Sequence, residues 1–231
     1  GKLLSKSTKK KVIYDFRQND LKHGGTGAPL TPIFHLLLSK KKLKQNKLPI
    51  LILNIGGIAN ATYIKRHDKN ENSLTALDIG PGNCLIDKWI RKKSKKNYDE
   101  NGLIAKSGTI NKFILDKAIS SWITRLNKNI GHPASHDISD YDYSFANELS
   151  LEDGAATITE YSSEIYAHYI NKIMKEETYP KAIIVCGGGR KNKFLMESFK
   201  KKIYCPLTKI DDFNINGDFV ESKAFAYLAI R

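Results

Sequence analysis

Short apolar runs alternate with amphipathic segments along this chain. Runs at residues 48–55, 74–79 and 182–185 are largely apolar and bounded by turn residues, a pattern typical of buried strands. We expect further strands at residues 11–16, 62–65 and 203–207. Apolar residues three or four positions apart predict helices at residues 33–38, 85–90, 110–126, 152–174, 192–201 and 218–231, with a long loop at 131–147. Strands that alternate with helices in this way predict an α/β fold.

Three of the predicted strands end in a glycine-rich string. The strings are residues 54–60 (NIGGIAN), 78–83 (DIGPGN) and 186–189 (CGGG). Glycine permits a tight turn and lets backbone N–H groups approach a phosphate without an intervening Cβ. Any one string alone is more typical of an ordinary turn than of a nucleotide site. The hypothesis of a nucleotide site therefore depends on finding all three together.

Composition and charge narrow the class of protein. A chain of 231 residues with 41% apolar residues can bury a core, and its net charge of +14 favours phosphate-bearing partners. The basic clusters at 40–44, 91–96 and 200–202 lie at predicted helix ends or loops without interleaved aromatic residues, as expected of solvated faces. No apolar stretch is long enough to span a bilayer, and three dispersed cysteines fit no disulfide framework. We expect a cytoplasmic protein that binds neither nucleic acid nor membrane.

Six ordered motifs resemble those of the anhydro-N-acetylmuramic acid kinases and cover nearly the whole chain. They are residues 12–20 (VIYDFRQND), 24–30 (GGTGAPL), 54–60, 78–87, 186–192 and 221–229 (ESKAFAYLA). The resemblance implies the two-lobed, actin-like (ribonuclease H-like) architecture of sugar kinases and hsp70, with ATP in the cleft between the lobes. Residues 1–47 would then be the remainder of an incomplete first lobe. Residues 48–231 would form the second, nucleotide-binding lobe, closed by the C-terminal helix.

The chain departs from that family at two places. The family's first-lobe phosphate loop, Gly-Thr-Ser-x-Asp-Gly, does not occur in these residues. The family's Pro-Pro-Lys-Ser signature and its following Arg correspond to residues 133–140 (PASHDISD), which carry neither cation. These departures favour an alternative, in which the chain is an inactive fragment or a separately encoded lobe that needs an N-terminal partner. The resemblance otherwise implies a homodimer.

The reaction that the resemblance implies opens the 1,6-anhydro bridge of the amino sugar with water and phosphorylates the freed O6 from ATP. Asp78 matches the family's catalytic aspartate, and a carboxylate at the end of an apolar strand suits a base that takes the proton of the attacking water. An aspartate before Gly-Pro is as typical of a turn cap. Ile79 replaces the family's usual threonine.

The resemblance also assigns nucleotide and sugar contacts. The nucleotide-binding residues would be Gly56, Gly57, Asn60, Gly187, Gly188, Gly189 and Asn192, and the substrate-binding residues Gly80, Asn83 and Glu221. Each type also fits a structural role: Asn60 closing a turn, the triple glycine permitting close helix–strand packing, and Glu221 stabilising a helix N-terminus.

ATP is expected with Mg²⁺ held mainly by phosphates and water, so we predict no dedicated metal cage in the protein. His132 and His136 have the spacing of metal ligands on a helix, but Pro133 between them argues against that geometry. The other histidines, His23, His35, His67 and His168, show no partner pattern and are expected to be ordinary surface or core residues.

Overall fold

A computed structural model describes residues 1–25, 27–43, 48–67, 73–128, 141–176 and 179–230. In chain order, the helices and strands are α1 (Lys2–Thr8), α2 (Phe16–Lys22), α3 (Pro32–Lys42), β1 (Ile50–Ile55), β2 (Ile58–Ile64), β3 (Leu74–Pro81), α4 (Cys84–Lys93), α5 (Leu103–Ser107), α6 (Lys112–Lys128), α7 (Leu151–Glu176), β4 (Ala182–Cys186), α8 (Lys193–Lys200), β5 (Leu207–Lys209) and α9 (Val220–Ile230). The expected α/β class is confirmed. None of these helices combines the length and apolarity needed to cross a membrane.

The strands form one mixed, five-stranded sheet in the order β3-β2-β1-β4-β5. The pairs β1–β2 and β2–β3 are antiparallel, whereas β1–β4 and β4–β5 are parallel. This arrangement is compatible with the actin-like architecture that the resemblance implies. The division into lobes at residue 47 stays a prediction.

Alternate residues of the central strands enter two cores, one on each face of the sheet. On β1, Leu51, Leu53 and Ile55 pack with the face that α4, α6, α7 and α8 cover. Ile50 and Ile52 pack with the opposite face, against Phe34 of α3 and Val220 and Ala224 of α9. Because both faces are covered, the strand shows no polar alternation and is apolar except for Asn54 near its end.

Several predicted elements differ from the structure. The strand prediction for residues 11–16 is wrong: residues 11–15 are irregular and α2 begins at Phe16. Ile13 and Tyr14 remain about half exposed, since this apolar run has no sheet edge to pair with. Of the strand expected at 203–207, only Leu207 belongs to β5. Helices α1 and α5 were not predicted from the sequence. Of the predicted loop, residues 131–140 lie outside the described residues, and Ser144–Ala146 form one 3₁₀ turn.

Candidate active site

The three glycine strings lie at one edge of the sheet. Strands β1, β3 and β4 run in the same direction, so their carboxyl ends, where the strings begin, face the same side. We call residues 54–60, 78–83 and 186–189 together the glycine edge. Ligands of open α/β sheets bind outside the carboxyl ends of strands, which makes this edge the candidate site.

Backbone hydrogen bonds join the first two strings. The N–H groups of Gly82 and Cys84 donate to the Gly57 carbonyl at 2.9 and 3.2 Å, and Asn83 donates to the Gly56 carbonyl at 2.8 Å. A Cβ on Gly82 would lie 2.2 Å from the Gly56 oxygen, so only glycine permits this approach. The Gly56 N–H in turn donates to Ile58 at 3.2 Å. Most of these amides thus hold the strings together, and the Gly56 N–H that we expected to face a phosphate is engaged within its own turn.

The third string packs against the end of β1. Gly187 has a φ of 79°, and a Cβ there would lie 2.6 Å from both Asn54 Oδ1 and the Ile55 carbonyl oxygen. A Cβ on Gly189 would lie 2.2 Å from Cγ2 of Ile55. These two glycines therefore have a packing role, with which ligand binding is compatible, and their contact with a nucleotide stays a prediction. Gly188 differs, because among the described residues the only atom within 4 Å of its Cβ position is Asn83 Nδ2, at 3.5 Å.

Gly188 borders a cavity of about 420 Å³, which we call the Gly188 cavity. Asn192 lies on its wall and also caps α8, its Oδ1 accepting the Leu195 N–H at 3.0 Å. Burial raises the pKa of Asp87, another lining carboxyl. The cavity is lined by Asn83, Ile86, Asp87, Tyr98, Asp99, Glu100, Asn101, Gly188, Lys191 and Asn192. It thus joins three residues predicted to bind ligands, Asn83, Gly188 and Asn192, to an aromatic ring and a lysine.

Asp78 lies on β3, on the side of the glycine edge away from the Gly188 cavity. Only 7% of its surface is exposed. It pairs with Asn60 of β2, and a bulge follows directly, since Ala59 pairs with Gly80 and Ile79 is skipped. Bulges commonly redirect side chains beside active sites. The predicted site residue Asn60 has a buried Oδ1 with no hydrogen-bond partner in the described part of the chain.

Helix α7 packs against the string of residues 78–83 and holds it in place. Tyr166 donates a hydrogen bond from its hydroxyl to the Pro81 carbonyl at 2.6 Å, and a Cβ on Gly80 would lie 2.5 Å from Ile165. Gly80 is thus required for packing, which explains its presence without a substrate contact. Tyr141 is close enough for the charge of Asp78 to contribute, after burial, to the raised pKa of its phenol. The phenol of Tyr141, within electrostatic range of Asp78, therefore stays protonated and neutral.

Glu221 is exposed in the first turn of α9. Burial, with smaller contributions from the charges of Glu221 and Asp211, raises the pKa of Cys186 at the end of β4 to about 12. Glu221 therefore lies near the third glycine string, and the structure brings it to the same edge as the other predicted residues.

Sequence reasoning missed two residues at this edge. Arg190 is 96% buried behind the third string and pairs with Asp211 and Asp218. Tyr141 lies beside Asp78. Their partners are tens of residues away in sequence, so no local spacing signalled either one.

Among the described residues, no group of three or more His, Cys, Asp or Glu side chains is placed to hold a metal ion. His132 and His136 lie outside those residues. His35 is a core residue as expected, with its Nδ1 2.7 Å from Thr62 Oγ1, and burial lowers its pKa to about 4.

Comparison with known proteins bears on the whole chain. A family model described as anhydro-N-acetylmuramic acid kinase matches residues 1–231. The kinases of that name from Pelagibacter ubique and Zymomonas mobilis are 47% and 40% identical to the chain, and each match covers all of this chain. The chain spans about 60% of the length of these curated relatives. A solved activator of 2-hydroxyisocaproyl-CoA dehydratase from Clostridium difficile, with bound ADPNP, matches 79% of the chain and 63% of its own at 14% identity and a TM-score of 0.43, a likeness too weak to carry a conclusion.

Proposed function

We propose, because the chain belongs to the anhydro-N-acetylmuramic acid kinase family, that it takes part in the ATP-dependent opening and phosphorylation of 1,6-anhydro-N-acetylmuramic acid. One observation carries the proposal: a buried carboxylate, Asp78, and the open cavity beside Gly188 lie on the same sheet edge. The first suits acid–base chemistry and the second suits a nucleotide. The reaction would take place in the cytoplasm, where ATP is available.

The Gly188 cavity fits the nucleoside part of ATP. Its volume of about 420 Å³ is in the range of small-molecule sites. Gly188 presents bare backbone to it, so a flat base or ribose can approach where a side chain would intrude. Tyr98 offers a ring for stacking, and the Asp87 carboxyl can accept a hydrogen bond from a ribose hydroxyl. ATP, when bound, would supply the phosphoryl group, with Mg²⁺ held mainly by its phosphates and by water.

Asp78 would act as the general base. It takes a proton from the water that attacks the anomeric carbon, and the bond from that carbon to O6 breaks to leave an O6 oxyanion. That oxyanion takes the γ-phosphoryl group of ATP as ADP leaves, and the proton on Asp78 passes to solvent. β2 and α7 hold the strand end that carries it, so the carboxylate is oriented before the sugar binds. The neighbouring Tyr141 remains neutral, so it adds no second negative charge beside the base.

Asn83 and Glu221 are proposed to contact the sugar. Asn83 lies between Asp78 and the Gly188 cavity. Its side chain lines that cavity, and its backbone N–H donates a hydrogen bond to the Gly56 carbonyl. A homodimer is proposed from the resemblance alone, and light scattering at assay concentration would test it.

The activity is tested with the protein as the cell makes it, ATP, Mg²⁺ and 1,6-anhydro-N-acetylmuramic acid. We expect a product heavier than the anhydro-sugar by one phosphoryl group and one water, detected by mass spectrometry. A phosphorylated product that retains the anhydro ring would contradict the role of the base. Tight ATP binding without any sugar product would instead support the alternative of an inactive lobe.

A further inference from the structure

Arg190 directly follows the triple glycine and is almost completely buried, with 4% exposed. Its Nε and Nη2 donate to the two oxygens of Asp211 at 2.6 and 3.0 Å. Its Nη1 donates to Asp218 Oδ1 at 2.7 Å and to the Gly187 carbonyl at 2.8 Å. We call Arg190, Asp211 and Asp218 the Arg190 clamp.

The chemistry of the clamp requires arginine. Two carboxylates compensate the buried guanidinium, and hydrogen bonding to Arg190 holds the pKa of Asp211 at about 2. A planar fork can bind Asp211 with two parallel hydrogen bonds while a third nitrogen reaches Asp218 and a carbonyl. A lysine ammonium is a point charge with no such fork, so it would keep the charge and lose the geometry.

The clamp holds the third glycine string from the side opposite β1. The Gly187 carbonyl accepts from Arg190, while the Gly187 N–H donates to the Gly217 carbonyl at 3.2 Å. A Cβ on Gly217 would lie 2.3 Å from Arg190 Nε, so this segment packs directly onto the guanidinium. Both backbone groups of Gly187 are thereby fixed one residue before Gly188.

The clamp also extends to the wall of the Gly188 cavity. Asp218 binds Arg190 through Oδ1 and accepts from Lys191 Nζ through Oδ2 at 2.7 Å. Lys191 lines the cavity, whereas Arg190 is absent from its lining. Arg190 therefore touches the wall only through other groups.

We infer that Arg190 is a positioning residue for the nucleotide: it fixes the backbone around Gly188 and, through Asp218, the ammonium group of Lys191 on the cavity wall. This inference rests on the proposed nucleotide site. It assigns to Arg190 a role in affinity that exceeds its contribution to folding.

The test compares ATP affinity by isothermal titration calorimetry in the wild-type protein and in Arg190→Lys, Asp218→Asn and Lys202→Met, with thermal unfolding of each. Lys202→Met is the matched control, since Lys202, just after α8, forms a partly buried ion pair at 2.6 Å with Glu160 of α7, and neither residue lines the Gly188 cavity. We expect Arg190→Lys to weaken ATP binding about 10-fold or more, because small displacements of positioning groups carry large penalties. Asp218→Asn should weaken it less, and Lys202→Met should lower the melting temperature without changing affinity.

Arg190→Lys protein that is folded and binds ATP as tightly as wild type would overturn the inference, whatever its melting temperature. Should Arg190→Lys not fold, Asp218→Asn decides, and unchanged ATP affinity there overturns the inference as well. Failure of the wild-type protein to bind ATP would be a different result, since it would reject the proposed nucleotide site before any variant is compared.

Discussion

The two sides of the glycine edge are built in opposite ways. Around Asp78 the structure is closed: β2 pairs with the strand, α7 covers it, and the carboxylate is 7% exposed. Around Gly188 the structure is open onto a cavity of about 420 Å³. Closely packed surroundings can hold a catalytic base in one orientation, whereas an open cavity can admit a ligand. This difference supports the proposal that strings of similar sequence have separate roles.

Glycine itself illustrates the contrast. Gly80 and Gly189 are required because a neighbouring side chain occupies the space of a Cβ, whereas the position next to Gly188 is open. The same residue type therefore marks tight packing at Gly80 and Gly189 and open space at Gly188, even though Gly188 and Gly189 are neighbours. Only the three-dimensional surroundings distinguish them.

The largest effect should come from Asp78→Asn, which keeps the shape of the side chain and removes the base. We expect the turnover rate to fall about 10³-fold, with the ATP dissociation constant and the melting temperature near wild type. Initial rates and calorimetry measure both. Loss of ATP affinity with unchanged turnover would reject the assignment of Asp78 to the chemical step.

The next largest effect should come from acid, which should lower the free energy of unfolding. His35 of α3 contacts Thr62, two residues from Asn60 on β2, and its pKa is lowered to about 4 in the fold. The unfolded chain therefore binds a proton at higher pH than the folded one. Stability should be full above pH of about 6.5 and fall by about 3 kcal/mol as the pH drops towards 4.

Urea unfolding at several pH values measures that loss. A His35→Gln variant removes the titrating group and should flatten the dependence over this range. A wild-type slope that survives in His35→Gln would assign the acid sensitivity to other groups.

A pair of neighbouring substitutions sharpens the contrast between packing and access. Gly189→Ala should destabilise the protein by about 2 kcal/mol, because its Cβ would overlap Ile55. Gly188→Ala should change stability by no more than about 0.5 kcal/mol and weaken ATP binding. Chemical denaturation and calorimetry on both variants give the comparison. Equal destabilisation would contradict the open surroundings of Gly188.

Asn60→Ala should change stability only slightly. Its Oδ1 is buried without a hydrogen-bond partner among the described residues, so removing it should cost at most about 1 kcal/mol. If Asn60 serves the reaction, turnover should fall while stability stays nearly constant. A large loss of stability would instead assign Asn60 to closing the turn.

Much of the architecture was predictable because it depends on local patterns. Apolar runs predicted β1 and β4, and the glycine strings indicated where the strands end. The same logic failed at residues 11–16, whose apolar pattern pairs with none of the strands in the described part of the chain. Period and composition describe a segment, whereas a strand also needs a neighbour.

The candidate site was predictable as a set of strings, and less so as individual roles. Sequence could not separate Gly188 from Gly187 and Gly189, because their difference lies in the distance to Asn54 and Ile55. It also could not indicate Arg190, whose carboxylate partners lie 21 and 28 residues away. Such contacts arise only when the chain has folded.

The most direct test of these separate roles is a titration of ATP into two variants, one altered at Gly188 and one at Asp78. Gly188→Leu places a side chain in the cavity, and Asp78→Asn alters only the buried carboxylate. We predict that Asp78→Asn binds ATP within about two-fold of wild type, while Gly188→Leu, still folded, loses about 10-fold or more of its affinity. Unchanged ATP binding by folded Gly188→Leu would contradict the account.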